Sequence, residues 1–211
     1  MTEKGGLALF DFDDTITVGD SLRAFIVFAR GWPEFSLGAI ALSPIVALQK
    51  LNLISTKKAK EMVLGFFFKD MSIETFEELC ERFSKEAIPQ MVNKLAAEKI
   101  ANHLQNNDRV VVVSASPGHW VRPWALQNGL ECVSTELEVV DHKITGKILG
   151  ENCKGDEKVR RIQEYLSIEK HNPIYAYGDS KHDLSMLMLA DYSFYKPFRK
   201  KERREKTKVT A

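Results

Sequence analysis

The chain has 211 residues, of which 44% are hydrophobic and 28% charged, a composition typical of a globular protein of one or two domains. Its formal net charge of +1 gives no reason to expect a nucleic-acid partner, and three separated cysteines without a C-x-x-C pair suggest neither a zinc site nor a disulfide framework. No apolar segment precedes the first predicted strand, and the longest uncharged run (35–49) is shorter than a membrane-spanning helix, so we expect a cytoplasmic protein.

The first predicted element is a buried strand, "LALFDF" at residues 7–12, which leads into three acids, Asp11, Asp13 and Asp14. In an extended strand Asp11 and Asp13 have the same facing, and two carboxylates so close repel each other unless a cation neutralises them. A hard divalent ion such as Mg²⁺ is the simplest such cation. The alternative is that the acids only decorate a strand end, and the motif alone does not decide between the two.

Almost a hundred residues separate this strand from the next, which is too many for a single crossover, and their patterns are helical. We therefore expect a helical insertion that lies over the active edge of the sheet. Two stretches in it, "FSLGAIALSPIVAL" and "GFFFKD", are unusually apolar and predict either core packing within the insertion or a surface that touches lipid. The predicted helices are 21–30, 36–52, 56–68, 72–86 and 89–105.

Two further buried strands follow, "RVVVVS" at 109–114 and "PIYAYGD" at 173–179, each before a helical pattern. The order of strand then helix predicts a doubly wound α/β fold with a parallel sheet. Ligands of such folds bind beyond the carboxyl ends of the strands. Ser114, Asp179 and Asp183 are therefore expected at the same edge of the sheet as the first acidic motif.

Smaller elements complete the predicted fold. Ser116, which precedes a proline, suits the N-cap of a helix that runs to Gly129. Ser180 suits the N-cap of a helix through Leu189. Alternating apolar and polar residues at 136–148 predict a small β-hairpin.

The ordered motifs resemble a known family. D-F-D-D-T after the first strand, a strand that ends in serine, a downstream lysine and G-D-S-x-x-D resemble the haloacid dehalogenase (HAD) superfamily of phosphatases over residues 7–183. The helical insertion directly after the first motif, together with "NCKGDEKVRRI", resembles its phosphoserine-phosphatase-like subfamily IB. G-D-E-K-V also resembles bacterial phosphatidylglycerophosphatase C. The resemblance implies a Rossmann-like core with a helical cap inserted after the first strand.

Carried over to this chain, the resemblance implies a role for each central residue. Asp11 would be the nucleophile that becomes an aspartyl-phosphate, and Asp13 would protonate the leaving oxygen and then activate water. Ser114 and Ala115 would bind the phosphoryl group. An Mg²⁺ ion would be held by the Asp11 carboxylate, the Asp13 backbone carbonyl and Asp179.

The resemblance also implies supporting positions. The lysine that offsets phosphoryl charge is either Lys158, favoured by G-D-E-K-V, or Lys154, which precedes a glycine as in phosphoserine phosphatases; we expect the two to lie one helical turn apart. Thr15 is expected to stabilise the turn after the nucleophile by bonding its hydroxyl to the backbone, and Asp183 to support the site. Asp20 occupies the position of an acidic cap residue that meets the substrate ammonium.

The predicted domains are a catalytic core (1–18 and 100–198), a helical cap (19–99) and a basic tail (199–211) that is expected to be disordered. From Lys196 onward there are eight Lys or Arg and two Glu, which leaves about −5 for the rest of the chain. Such a run is typical of a solvated terminus, and it also suits peripheral contact with the inner face of an anionic membrane.

The predicted function is an Mg²⁺-dependent phosphomonoesterase. Its substrate is either a small phosphometabolite such as phosphoserine or a lipid phosphate such as phosphatidylglycerophosphate. A phosphoacceptor signalling module uses similar residues, but it is shorter and lacks a long insertion after its first strand. A non-catalytic binding or scaffold protein needs none of the catalytic set. No oligomeric state is predicted.

Overall fold

A computed structural model of the chain describes residues 5–199. The strands form one sheet in which every neighbouring pair is parallel except the third and fourth, which form an antiparallel hairpin. The strands are β1 (Leu7–Phe10), β2 (Arg109–Pro117), β3 (Glu131–Val140), β4 (Lys143–Leu149), β5 (Ile174–Gly178) and β6 (Tyr192–Tyr195). Their order in the sheet is β4-β3-β2-β1-β5-β6.

Helices pack on the sheet, and the first six of them lie between β1 and β2. The predicted doubly wound α/β fold with a helical insertion after the first strand is thereby confirmed. The insertion contains α1 (Ser21–Ala41), α2 (Ser43–Lys50), α3 (Thr56–Phe68), α4 (Ile73–Glu86), α5 (Ile88–Met91) and α6 (Lys94–Gln105). After it come α7 (Gly118–Gln127), α8 (Asp156–Tyr165) and α9 (Leu184–Leu187).

The central strand β1 is buried on both faces because its side chains alternate between two cores. Leu7 and Leu9 pack into one hydrophobic cluster, which includes residues of α8 and α9. Ala8 and Phe10 pack into the other, which continues into the cap. All four side chains are fully buried, so the first position of this segment that can carry a charge lies just past the end of the strand.

One helix predicted in the insertion is wrong in extent. The segment 36–52 is divided at Leu42: its first part belongs to α1, which continues through a kink at Gly31 (φ 77°), and its second part is α2. Pro44 lies at the start of α2. Because proline lacks a backbone N–H and cannot continue a helix from the preceding turn, it separates the two helices.

Other boundaries also differ from expectation. The helix predicted over 89–105 is interrupted at Val92, whose extended backbone forms a bridge with Thr17. The helix predicted after Ser180 is shorter, a capped 3₁₀ turn followed by α9. The hairpin predicted at 136–148 is confirmed as β3 and β4. Strand β6 was not predicted, because four residues at a sheet edge give too short an alternation.

The interior of the cap is aromatic. Phe25 is fully buried, and its ring centroid lies between 4.6 and 5.5 Å from those of Phe68, Phe76, Phe83 and Trp120. Since Trp120 belongs to α7, this cluster joins the cap to the core. Core packing therefore accounts for part of the apolar "GFFFKD" stretch, but not for α2, in which no residue is buried.

The boundaries between the predicted core and the predicted cap remain a prediction. α6 lies mostly within the segment assigned to the cap, yet it packs against β2 and the turn after β1. Residues 200–211 of the predicted tail lie outside the described residues. Within residues 5–199, none of the helices is by itself long and apolar enough to cross a membrane; α1 and α2 together are, but they are bent by 54°.

Candidate active site

Three parallel strands bring the candidate site together at their carboxyl ends. β1 lies between β2 and β5 in the sheet. The backbone N–H of Asp11 donates to the Tyr177 carbonyl at 2.9 Å, which fixes Asp11 just past the end of β1. Asp179 follows β5 directly, and Ser114 lies near the end of β2. The structure thus brings these predicted residues to one edge, where open α/β sheets bind ligands.

A buried lysine from α8 reaches Asp11. Lys158 is 1% exposed, and its ammonium donates to Asp11 Oδ1 at 2.5 Å, to Asp183 Oδ1 at 2.7 Å and to the Val113 carbonyl at 2.8 Å. These three acceptors match the three donors of an ammonium group, so the charge is fully partnered by protein atoms. Of the two candidate lysines, Lys158 is the one that contacts the carboxylates.

Lys154 lines a cavity that Asp11 and Lys158 also line. It precedes α8, so the expectation that the two lysines lie one helical turn apart is wrong. Gly155, with φ 61°, turns the chain into the helix between them. The Lys154 ammonium is 3.4 Å from Thr56 Oγ1. Partial burial and the nearby charge of Lys181 lower the pKa of Lys154.

Lys158 and its two carboxylate partners differ in how their surroundings shift their pKa values. Burial raises the pKa of Asp11 to about 7, and the Asp183 carboxylate acts in the same direction, while Lys158 opposes both. Burial also opposes the charge of Lys158, but the two carboxylates outweigh it and hold the pKa of the ammonium above its ordinary value. For Asp183, Lys158 and hydrogen bonds from Ser180 outweigh burial and hold its pKa low. Asp11 is therefore the carboxylate whose ionisation depends on further positive charge.

Asp13 reaches the site from the turn Phe12–Ile16, because β1 ends before it and strand alternation does not apply. Its carboxylate accepts the Ser21 N–H at 2.6 Å and the Ser116 hydroxyl at 2.5 Å. Burial raises the pKa of Asp13 and the Asp20 carboxylate raises it further, against these hydrogen bonds. A carboxyl group with a raised pKa keeps its proton to a higher pH, which suits a general acid.

Sequence reasoning missed a chain of hydrogen bonds behind Asp13. The Trp120 indole N–H donates to Ser21 Oγ at 3.2 Å, and the Ser21 hydroxyl donates to Ser116 Oγ at 3.1 Å. The prediction that Ser116 caps a helix is wrong, because β2 continues through it and α7 begins two residues later. The signal in the sequence was the second serine of "SASPG", which suits a helix cap equally well.

The two residues after Asp13 have different surroundings. Asp14 is exposed, with a left-handed backbone (φ 59°). Thr15 Oγ1 is buried and has no hydrogen-bond partner among the described residues, so the expectation that it bonds to the backbone is wrong. Thr17 closes the turn instead: its backbone N–H donates to the Phe12 carbonyl at 2.9 Å, and its hydroxyl donates to the Gly19 carbonyl at 2.9 Å.

The predicted phosphate-binding residues differ in access. Ser114 is fully buried, and its Oγ accepts the backbone N–H of Ser116 at 2.9 Å, which leaves the hydroxyl proton free to donate. Ala115 lines the cavity together with Asp11. The register between β2 and β3 shifts directly after Ser114, so the segment that carries both residues departs from the regular strand beside the nucleophile position.

The cap contributes polar residues to this cavity, which has a volume of about 330 Å³. The Lys60 ammonium, from α3, lies 3.3 Å from Asn152 Oδ1; burial lowers the pKa of Lys60, although Asp13 and Asp20 oppose the shift. Asp20 lines the cavity and caps α1 by accepting the Arg23 N–H at 2.8 Å. Sequence reasoning missed Lys60, because no local pattern distinguishes it from the other lysines of α3.

Asp11, Asp179 and Asp183 each offer a carboxylate oxygen, and these oxygens lie within 4.8 Å of one another. Asp183 also accepts the Ser180 backbone N–H at 2.9 Å and its hydroxyl at 2.8 Å, which suits a supporting position. Burial and neighbouring carboxylates raise the pKa of Asp179, against the Arg199 guanidinium at 3.2 Å. An all-oxygen set with excess negative charge fits a hard divalent cation such as Mg²⁺.

The chain is similar to known proteins over most of its length. A family model described as haloacid dehalogenase-like hydrolase matches residues 8–188. Over 197 residues the chain is 31% identical to Protein CicA of Caulobacter vibrioides, which covers 92% of this chain and 87% of that protein. A solved structure of unknown function from Bordetella pertussis Tohama I has a TM-score of 0.77 at 24% identity and covers 90% of this chain and 89% of that one. A phospho-aspartyl intermediate analogue of phosphoserine phosphatase has a TM-score of 0.65 at 25% identity, covering 90% and 86%.

Proposed function

Since the chain belongs to the haloacid dehalogenase-like hydrolases and is a phosphatase of the phosphoserine-phosphatase-like branch, we propose that it hydrolyses phosphomonoesters in an Mg²⁺-dependent reaction through an aspartyl-phosphate on Asp11. The observation that carries this proposal is the contact between Asp11 and the buried Lys158 ammonium, in a cavity that Asp13 also lines. A nucleophilic carboxylate and a nearby acid with a raised pKa are the two groups that a two-step phosphoryl transfer requires.

In the first step, an Asp11 carboxylate oxygen attacks phosphorus while the bond from phosphorus to the leaving oxygen breaks. Asp13 gives its proton to that oxygen, so the products are an acyl phosphate on Asp11 and an alcohol. Burial and Asp20 raise the pKa of Asp13, which favours its protonated form in this step. The hydrogen bonds from Ser21 and Ser116 hold the carboxyl group in one orientation.

In the second step, water attacks the phosphorus of the acyl phosphate, and the ionised Asp13 takes a proton from that water. Asp11 leaves as a free carboxylate, and inorganic phosphate is released. Lys158 stabilises the carboxylate that reappears, since its ammonium contacts that group directly. Ser114 and the backbone amides around Ala115 are the donors we assign to the phosphoryl oxygens.

The residues present fit a magnesium ion. The Asp11 and Asp179 carboxylates and the Asp13 backbone carbonyl would hold it, with Asp183 in support. When bound, the ion supplies positive charge that offsets the charge of the phosphoryl oxygens. Burial and like charges raise the pKa of both Asp11 and Asp179, so added positive charge favours the ionised form of both at neutral pH.

Two kinds of leaving group suit different parts of the cap. Asp20 and Lys60 bring opposite charges into the cavity, which suits a small zwitterionic phosphometabolite such as phosphoserine, the substrate in the name of one structural relative. Asp20 also borders a larger groove of about 790 Å³, whose lining includes Val18, Phe28 and Trp32. That groove suits the apolar part of a lipid phosphate such as phosphatidylglycerophosphate.

Asp11→Asn tests the mechanism, and Asp14→Asn is its matched control. We expect Asp11→Asn to fold normally by circular dichroism but to lose p-nitrophenyl phosphate hydrolysis and the alkali-labile labelling of the protein by a radioactive phosphomonoester. Asp14→Asn should stay active, because the side chain is exposed and asparagine tolerates the left-handed backbone there. EDTA should abolish wild-type hydrolysis, and Mg²⁺ should restore it.

An active Asp11→Asn protein would exclude the aspartyl-phosphate. A labelled wild-type protein that does not turn over would instead favour a phosphoacceptor, and neither label nor hydrolysis would favour a binding or scaffold role. A screen of phosphoserine against phosphatidylglycerophosphate in detergent tests the leaving group. Asp20→Asn should raise the KM for phosphoserine alone if the small substrate is correct, and Trp32→Ala should raise the KM for the lipid alone if the lipid is correct.

A further inference from the structure

The cap exposes large apolar side chains, most of which lie outside the catalytic cavity and the groove beside Asp20. We define the outer cap surface by six residues on the second half of α1, the turn after α2, and α3. The helices α1, α2 and α3 contact one another. Single exposed apolar residues are ordinary, but their concentration on one part of a protein is typical of an interaction surface. Each of the six is more than half exposed: Trp32, Leu37, Ile40, Leu51, Leu53 and Phe66.

Helix α2 shows most clearly how little of this part of the cap is buried within the described chain. Its sequence "SPIVALQK" contains isoleucine, valine and leucine, yet none of its eight residues is buried. A surface helix of a globular protein ordinarily buries one apolar face. The turn after it then leaves Leu51 and Leu53 each 68% exposed. Apolar area of this kind is stabilised when another surface removes it from water.

The charge around the outer cap surface is mainly positive. Between Trp32 and Phe66 the chain has four lysines and two acids, the exposed Glu34 and Glu61, whose carboxylate accepts the Ile148 backbone N–H at 3.1 Å. Lys50 and Lys58 are exposed, whereas Lys57 pairs with Glu151. An apolar surface with a basic fringe complements an anionic lipid surface. A two-fold contact between copies would cover the same apolar residues, and the experiments below distinguish it from a lipid surface.

The shape of this region suits a helix pair that lies along a bilayer. α1 and α2 together have the length and apolar composition of a membrane span, but they are bent by 54°. α1 is also kinked at Gly31. Beyond the kink, Gly38 lies directly against the Phe67 ring of α3, where a larger residue would clash. This contact holds the second half of α1 against α3. A bent, anchored pair is suited to present its apolar side chains to an interface.

We propose that the outer cap surface binds an anionic lipid bilayer, with its apolar side chains at the level of the acyl boundary and with Lys50 and Lys58 near the head groups. α3 carries part of this surface and also supplies Thr56 and Lys60 to the catalytic cavity. Attachment therefore holds the mouth of the cavity next to the bilayer. The proposal concerns attachment and is independent of which phosphomonoester is hydrolysed.

Sedimentation of the full-length protein with vesicles tests the proposal. Vesicles of equal parts phosphatidylcholine and phosphatidylglycerol are compared with pure phosphatidylcholine at physiological salt. The double variant Ile40→Glu/Leu51→Glu should bind the anionic vesicles at least about tenfold more weakly than wild type. Leu126→Glu/Met188→Glu is the matched control, because it adds the same charge at exposed apolar positions outside the cap, and it should bind like wild type.

Two further measurements test the charge and the contact. Lys50→Glu/Lys58→Glu should also weaken binding to the anionic vesicles by about tenfold. Trp120 and Trp124 are buried whereas Trp32 is 60% exposed, so quenching of fluorescence by brominated acyl chains reports mainly on Trp32. We expect such quenching in wild type, its loss in Ile40→Glu/Leu51→Glu, and its loss in Trp32→Phe with most of the sedimentation retained.

Several results would overturn the proposal. Wild type that stays in the supernatant would do so. Equal binding of Ile40→Glu/Leu51→Glu and Leu126→Glu/Met188→Glu would also do so, and it would assign binding to other basic residues such as those after Lys196. A concentration-dependent dimer that Ile40→Glu/Leu51→Glu dissociates, without lipid binding, would assign the surface to a second copy. The glutamate double variants should retain p-nitrophenyl phosphate hydrolysis, which separates a failure of attachment from a failure of the catalytic mechanism.

Discussion

The catalytic edge of the sheet and the outer cap surface depart from the usual distribution of residues in opposite directions. At the edge, Lys158 and Asp183 are only 1% exposed, whereas on the cap Leu37 and Ile40 are 68% and 73% exposed. Charges ordinarily stay in water because their burial is costly, and large apolar side chains are ordinarily buried. In our proposals each departure reflects a partner from outside the chain, a phosphoryl group with its cation at the edge and a lipid surface at the cap.

The two regions also differ in how well the chain itself satisfies them. Every donor of the Lys158 ammonium has a protein acceptor, so a substitution there disturbs folding and activity together. The exposed side chains of the outer cap surface contribute little to folding, so substitution there should leave both unchanged. Variants therefore distinguish the two regions. At the catalytic edge, stability and hydrolysis should fall together, whereas on the outer cap surface vesicle binding should fall while stability and hydrolysis stay unchanged.

Lys158→Met is expected to have the largest effect. It leaves Asp11 and Asp183 facing each other in a buried site without the ammonium between them, and removal of one partner of a buried ion pair costs about 3–5 kcal/mol. Hydrolysis should fall by about a thousandfold, because a positioned charge at the reacting group is lost. Chemical denaturation and p-nitrophenyl phosphate assays measure the two effects. Wild-type activity in this variant would contradict the role of Lys158.

Lys154→Met is the matched control. The Lys154 ammonium lies 3.4 Å from Thr56 Oγ1 and makes no contact with Asp11 in the described structure. The free energy of unfolding should change by no more than about 0.5 kcal/mol and hydrolysis by about tenfold at most. The reverse ranking of the two lysines would return the catalytic role to Lys154.

This pair of lysines also marks the limit of the sequence-based prediction. The convergence of Asp11, Ser114 and Asp179 was predictable, because buried parallel strands read as apolar runs and their carboxyl ends meet at one edge. The choice of lysine depends on where α8 begins. A left-handed turn at Gly155 places Lys154 before the helix and Lys158 within it, and spacing alone does not reveal that turn.

Tertiary contacts account for the other differences from the predictions. Ser116 fits a local capping pattern, and its bond to Asp13 depends on a residue more than a hundred positions away. Lys60 meets the site only because the cap folds back over the sheet. The apolar stretch in α2 is typical of a core segment, and its lack of buried residues follows from packing between helices, which periodicity within one helix does not encode.

In metal-free protein, Asp11→Asn is expected to change how the free energy of unfolding depends on pH. Burial raises the pKa of Asp11 from 3.8 to about 7, so between these values the folded protein holds a proton that the unfolded chain has lost. The free energy of unfolding should therefore fall as pH rises through this window, by on the order of 2–4 kcal/mol. Asp11→Asn should remove most of this fall and be more stable than wild type at about pH 8. Urea denaturation in EDTA at about pH 4 and about pH 8 measures the difference.

Two controls accompany this measurement. Asp14→Asn should keep the fall in stability that Asp11 causes, because Asp14 is exposed and Asp11 is unchanged. Mg²⁺ should raise the stability of wild type at about pH 8 more than that of Asp11→Asn, since binding to the folded state stabilises it. The same pH dependence in wild type and Asp11→Asn would show that Asp11 is not the buried carboxylate responsible.

Ser116→Ala is expected to have a moderate effect that is confined to the catalytic edge. The hydroxyl donates to the Asp13 carboxylate at 2.5 Å and so lowers the pKa of Asp13. Its loss should reduce kcat by about tenfold, consistent with one charge-assisted hydrogen bond, and move the pH optimum upward. Ser84→Ala, at a buried serine that donates to the Glu81 carbonyl, is the control and should leave the pH profile unchanged. An unshifted optimum in Ser116→Ala would separate Ser116 from the acid-base step.

Ile40→Glu is expected to have the smallest effect on folding. The side chain is 73% exposed, so the new charge stays in water and the free energy of unfolding should change by no more than about 0.5 kcal/mol. Phe25→Ala, inside the same cap, removes a buried ring and should cost about 3–5 kcal/mol in the same denaturation assay. Similar losses in the two variants would place Ile40 in the folded core and remove the contrast between the regions. Unchanged folding and hydrolysis together with weaker vesicle binding would mean that the exposed isoleucine serves a partner, because neither stability nor catalysis requires it.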